Sequence, residues 1–189
     1  MKHLSKILIV TALFAFAAAV CAYAEEIKDP ENVPEEAMAS VTTVPVVPPA
    51  PVEKTTLENL QVAFNGESNA HARYLAFAKQ ADLEKYGRVA SLFRAAARAE
   101  QVHFEHHAKV ITALGGVPTA KLETPVVKTT AENLEAARQG EVYESTIMYP
   151  EFLAKADKDG IKDASDAFED AQKAEAVHAS LYKEALGNL

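Results

Sequence analysis

Glutamate and histidine recur at matched spacings in this chain of 189 residues. The word A-E-Q-V-H spans Ala99–His103 and A-E-A-V-H spans Ala174–His178. A longer word, E-N-L-x-x-A-x-x-G-E, runs from Glu58 to Glu67 and again from Glu132 to Glu141. On a helix, Glu-x-x-His sets a carboxylate and an imidazole one turn apart on one face. Two such pairs (Glu100 with His103, Glu175 with His178) and the glutamates Glu67 and Glu141, each on its own helix, match the inward-facing carboxylate cage of a dinuclear metal site in a four-helix bundle. Mostly oxygen donors with one imidazole per metal suit iron, with manganese as the alternative, over zinc or copper(I). Bridging carboxylates hold such ions about 3.5–4 Å apart.

Glu67 and Glu141 fall on apolar stripes, the first with Phe64 and Tyr74, the second with Leu134. A carboxylate buried there without a partner costs several kcal/mol, and too few cations share the stripes to pair with the acids one by one. A divalent metal pair supplies the missing charge. Gly66 and Gly140 each precede one of these glutamates, although glycine inside a helix costs about 1 kcal/mol relative to alanine. The expected return is close helix approach, or backbone freedom, where the acids converge.

Four helices must position these side chains. Thr55 or Thr56 caps the first, and Leu57, Leu60, Phe64, Glu67, His71, Tyr74 and Ala78 carry its 3–4 spacing to about Lys85. Gly87 breaks the pattern. The second helix runs from Arg88 to about Leu114 and stops at Gly115-Gly116. Residues 115–128 contain Pro118 and Pro125 and no periodicity. Thr129 and Glu132 have capping-box spacing, opening a third helix to about Ala156 that Pro150 should kink. After a turn at Asp157–Gly160, a fourth helix continues to about Leu186 and ends at Gly187. Short links make antiparallel neighbours of helices one and two, and of three and four. The middle link can stretch roughly 45 Å, against roughly 40 Å for a helix of about 27 residues. It can therefore run the length of the bundle. The expected fold is all-α: a ferritin-like four-helix bundle with one long crossover between helices two and three.

Residues 1–24 read as a secretory signal peptide, with basic Lys2 and Lys6, an apolar run from Ile7 to Val20, and Ala22-Tyr23-Ala24 before the cleavage point. A retained anchor is the rival, but the run is shorter than the roughly 20 residues of a span; Cys21 offers a lipidated alternative. Residues 25–54, acidic and then proline-rich, form an expected disordered tether, and 55–189 the bundle. Cleavage removes two of the 19 basic residues and leaves 17 against 27 acidic, a charge of −10, with no cysteine. An acidic chain without a basic stripe argues against nucleic acid and anionic membranes. Without thiols, that stretch cannot build a cysteine-ligated iron centre, a zinc knuckle or a redox dithiol.

With these residues aligned, the chain from about residue 55 to 189 resembles the di-iron domain of the rubrerythrin family. G-E-S-N-A-H-A-R-Y at Gly66–Tyr74 is similar to the family's first-helix motif, and G-E-V-Y-E-S-T-I-M-Y-P at Gly140–Pro150 to its more specific third-helix motif. The resemblance implies that Glu67, Glu100, His103, Glu141, Glu144, Glu175 and His178 bind two irons, one of which exchanges between Glu144 and His103 as the oxidation state changes. It also implies catalytic roles for Tyr74 and Tyr149, which would hydrogen-bond the ligand carboxylates, and a homodimer. Many rubrerythrins end in a four-cysteine rubredoxin domain that delivers electrons. No such cysteines precede Leu189, so the resemblance places the electron donor in another molecule. An export signal is unusual for a family found mostly in the cytoplasm.

Three other histidines tempt. His71 lies one turn after Glu67 but reads as a bundle-lining or interface side chain. His106 and His107 follow His103 by a turn and read as solvated or capping groups near the helix end. The expected function is that of an exported peroxidase, reducing hydrogen peroxide to water with electrons from an external donor. A ferritin-like ferroxidase is the alternative, and a non-enzymatic bundle with a solvated acidic face is a third reading.

Overall fold

The computed structural model describes residues 54–189. The expected signal peptide and almost all of the expected tether lie outside the described residues. Helices α1 (Thr56–Leu83) and α2 (Gly87–Ala113) form one antiparallel hairpin. The second comprises α3 (Thr130–Tyr143), a π-helical turn (Glu144–Met148), α4 (Tyr149–Asp159) and α5 (Lys162–Gly187). Among the described residues there is no strand, and no helix is long and apolar enough to cross a membrane. The expected all-helical, ferritin-like bundle is the fold observed.

Local chemistry explains the helix ends. Thr55 caps α1 and Thr129 caps α3, each in a full capping box with Glu58 or Glu132. α2 ends at Ala113, followed by Gly115 in the left-handed region. A β-carbon on Gly116 would sit 2.9 Å from Ile111 Cγ2 and 3.0 Å from Leu57 Cδ1, so this turn needs glycine to tuck against α1. α4 ends on left-handed Gly160.

The crossover runs along α1, as its length allows, and three side-chain amides of α1 hold it there. Gln61 donates to the Val117 carbonyl (2.6 Å) and accepts from the Thr119 N–H (3.2 Å). Asn65 accepts from the Lys121 N–H (2.8 Å), while Asn69 donates to the Lys121 carbonyl (3.0 Å) and accepts from the Glu123 N–H (2.8 Å). The register has a simple cause. Four helical residues rise about 6 Å and two extended residues advance about 6.6 Å, so every fourth side chain of α1 meets every second residue of the link. Thr130 N–H then donates to Glu84 at the far end of α1 (2.9 Å), and Thr56 donates to Asp159 where α1 begins (2.7 Å).

The core has two apolar halves. One gathers Tyr74, Phe77, Phe93 and Tyr182 with alanines of α1 and α2; the other gathers Tyr149, Phe152 and Phe168 with Leu60, Ile111 and further alanines. On each helix the acids singled out above lie between these two sets. Replacing Asn69 by Ala removes two crossover bonds, and we expect a loss of about 1–2 kcal/mol in denaturant unfolding. Faster hydrogen exchange at the Lys121 and Glu123 amides, with the rest of α1 unchanged, would confirm the cause.

Candidate metal centre

Each helical segment brings its acid to the middle of the bundle. Glu67, Glu100, Glu141 and Glu175 are at most 1% exposed. His103 Nδ1 lies 3.0 Å from Glu100 Oε2 and 2.9 Å from Glu175 Oε1. His178 Nδ1 lies 2.7 Å from Glu175 Oε2, 3.3 Å from Glu100 Oε1 and 3.7 Å from Glu141 Oε2. Glu100 and Glu175 thus turn one oxygen toward each histidine. Glu67, Glu100, His103 and Glu175 form one group that could hold a metal ion, and Glu100, Glu141, Glu175 and His178 a second. The groups share Glu100 and Glu175, which is the disposition of bridging carboxylates between two ions. Glu144 belongs to neither group and is half-buried.

The donor set fits such ions. Glu67 Oε2 has no hydrogen-bond partner in the protein, and buried oxygens of Glu100, Glu141 and Glu175 have only the poorly aligned histidine contacts above. Orphaned polar atoms of this kind are costly unless something else satisfies them. Burial pushes the Glu67 carboxyl well up, reinforced by Glu144, Glu100 and Glu175. Burial likewise raises Glu144, with Glu141, Glu175 and Glu100 adding to it, and pushes Glu141 up to about 8. Burial pulls the histidines down, but the bonds from Glu100 and Glu175 outweigh it and hold His103 up at about 9. The same contest, with Glu141 added, holds His178 up at about 12. Without metal, these groups share protons to limit their repulsion.

Two tyrosines cross the bundle to fix the outer acids. Tyr74 of α1 donates to Glu141 Oε1 of α3 at 2.5 Å, and Tyr149 of α4 donates to Glu67 Oε1 of α1. The repeat explains this reciprocity and one irregularity. Tyr74 follows Glu67 by seven positions, whereas Tyr149 follows Glu141 by eight. The π-helical turn lies between Glu141 and Tyr149 and absorbs the additional residue, so both tyrosines arrive in equivalent places. Tyr149 N–H bonds to the Glu144 carbonyl across that turn. Ser145 donates to the Glu141 carbonyl at 2.7 Å, and Gln172 of α5 donates to the Ser145 carbonyl at 3.1 Å. Pro150, which has no N–H to give, follows immediately. The expected kink at Pro150 is therefore a π turn ahead of it, and the change in spacing was its signal.

Two further expectations need correction. Neither Gly66 nor Gly140 sits at a close helix contact: a β-carbon at either would meet nothing within 4 Å. His107 is neither solvated nor a cap. It is fully buried, its Nε2 lies 3.2 Å from the Tyr149 hydroxyl, and burial with the nearby His103 charge brings its pKa down to about 3. α2 continues beyond His107 to Ala113, so a side chain four positions after His103 faces inward as His103 does. His106 is half-buried. His71 behaves as expected, with Nδ1 2.6 Å from the Ala97 carbonyl and its ring edge-on to Phe104.

The family model for rubrerythrin matches residues 58–186. Nigerythrin from Nitratidesulfovibrio vulgaris is 39% identical over 136 residues, covering 71% of this chain and 67% of that protein. Rubrerythrin from Porphyromonas gingivalis is 36% identical over 129 residues, covering 67% of this chain and 64% of that protein. Among solved structures, fully reduced, all-ferrous nigerythrin superposes with a TM-score of 0.69 at 36% identity, covering 76% of this chain and 71% of that one. A bacterioferritin from Desulfovibrio desulfuricans, described with a diiron site, gives 0.65 at 26% identity over 70% of this chain and 78% of that one. The chain belongs to the rubrerythrin family, which binds a di-iron centre.

Proposed function

We propose that this protein is an exported di-iron peroxidase that reduces hydrogen peroxide to water with electrons from a separate donor. The observation that carries the reading is the pair of overlapping groups sharing Glu100 and Glu175, with a further acid, Glu144, beside them but in neither. In this reading Glu67 and His103 would hold one iron, Glu141 and His178 the other, and Glu100 and Glu175 would be shared between them. A ferrous pair held there would supply the two electrons that, with two protons, convert one peroxide to two waters, together with Lewis acidity toward oxygen. The protein's own work is placement. Tyr149 and Tyr74 hold Glu67 and Glu141 in one orientation. His103 stands inside its group while Glu144 stands outside, which supports an alternation of the two at one metal position as the oxidation state changes. A homodimer belongs to the same reading.

Stopped-flow mixing of the reduced, iron-loaded protein with peroxide and with dioxygen tests the activity. Faster oxidation by peroxide is expected; preference for dioxygen would favour a ferroxidase. Glu144→Ala should keep both irons and lower peroxide turnover about 10- to 100-fold. Unchanged turnover would remove Glu144 from the mechanism.

Metal loading should release protons. In the metal-free protein His103, at about 9, and His178, at about 12, are protonated at neutral pH, and both must lose that proton to bind. Apparent metal affinity should therefore rise from about pH 6 to about pH 8, with acidification of a weakly buffered sample. A pH-independent affinity would contradict this. Export is tested by the intact mass of the mature protein, expected to begin at Glu25; an uncleaved N-terminus or a lipid on Cys21 would contradict cleavage after Ala24.

A further inference from the structure

The two halves of the bundle repeat their aromatic packing around the centre. Tyr74 packs with Phe77, Phe93 and Tyr182 at ring separations of 5.7–6.3 Å. Tyr149 packs with Phe152, Phe168 and His107 at 6.0–6.3 Å. Tyr182 lies four positions after His178, and His107 four positions after His103. The halves therefore correspond residue by residue except at this pair, where one holds a phenol and the other an imidazole.

The difference alters the hydrogen bonding. Tyr149 has one hydroxyl proton and donates it to Glu67. Its contact with His107 Nε2 at 3.2 Å must then carry the imidazole's hydrogen, with the Tyr149 oxygen accepting. His107 Nδ1 is left bare, and it has no partner. On the other side a phenol, Tyr182, packs against Tyr74 at 5.7 Å where His107 offers an imidazole to Tyr149. A tyrosine that accepts one bond donates its own more strongly. Glu67 is thus gripped by a two-link chain through Tyr149 and His107. Glu67 also shares its metal-holding group with His103, the side where the proposed function places ligand alternation.

We propose that His107 is a positioning residue: its Nε2–H commits the Tyr149 proton to Glu67, so that Glu67 keeps its place while His103 and Glu144 alternate. The bond itself is independent of the peroxidase reading, and its effect on turnover rests on that reading. No electron or group transfer is assigned to His107.

Two variants and one spectrum test this. His107→Phe keeps a ring but removes the donor, and His107→Gln returns an N–H at a similar reach. His107→Phe should lower kcat for peroxide about tenfold with KM unchanged, whereas His107→Gln should recover to within about twofold of the parent. Equal loss in Phe and Gln variants, or no loss in the Phe variant, would overturn the proposal. In the unmutated, zinc-loaded protein, nitrogen-15 spectra of labelled histidine should show His107 as the Nε2–H tautomer; an Nδ1–H tautomer would also overturn it. If the parent protein does not turn over peroxide, the peroxidase reading fails alone, and the tautomer decides whether His107 makes the bond.

Discussion

Carboxylates drawn together away from water repel one another and lose their hydration, and this single conflict organises the molecule. Glu67, Glu100, Glu141 and Glu175 are sealed in a bundle lined with alanine, phenylalanine and tyrosine. Their oxygens, left without well-aligned partners, would cost several kcal/mol each in an apolar interior. Protons and the two histidines offset part of that cost in the bare protein, and two divalent cations offset it better because they also satisfy the lone pairs. Folding and metal binding are coupled through these atoms.

The surrounding architecture keeps the acids from escaping the conflict. A helix could rotate or shift to bring a glutamate toward water, but crosswise bonds from Tyr74 to Glu141 and from Tyr149 to Glu67 tie each acid to the opposite hairpin. The π turn at Glu144–Met148 keeps Tyr149 aimed inward despite an additional residue in its helix. The amides of Gln61, Asn65 and Asn69 pin the crossover that joins the hairpins. Near-twofold symmetry makes the two halves of the site alike, and the exchange of His107 for Tyr182 makes them differ.

Much of this was legible because the helical period is strict. A side chain three or four positions from another shares its face, so Glu-x-x-His repeated in two words gave both the helices and their inward faces. The capping threonines were legible for the same reason, as fixed offsets to Glu58 and Glu132. Departures from the period were harder to see. The π turn appears in sequence only as eight positions where seven would serve, beside a Pro150 that by itself suggests a plain kink. His107 reads as solvated only if α2 ends near it, whereas its spacing from His103 faces it inward. Gly66 and Gly140 invited an argument from close packing that depends on what lies opposite, which spacing alone does not give. The crossover amides could be found only by pairing a helical period of four with an extended period of two.

X-ray absorption at the iron edge of the iron-loaded protein tests whether the two groups sharing Glu100 and Glu175 hold two metal ions side by side. Two irons per chain, oxygen- and nitrogen-rich first coordination spheres, and an iron–iron scattering feature at about 3.5–4 Å are expected. A single iron per chain, or two irons without that feature, would contradict a dinuclear centre.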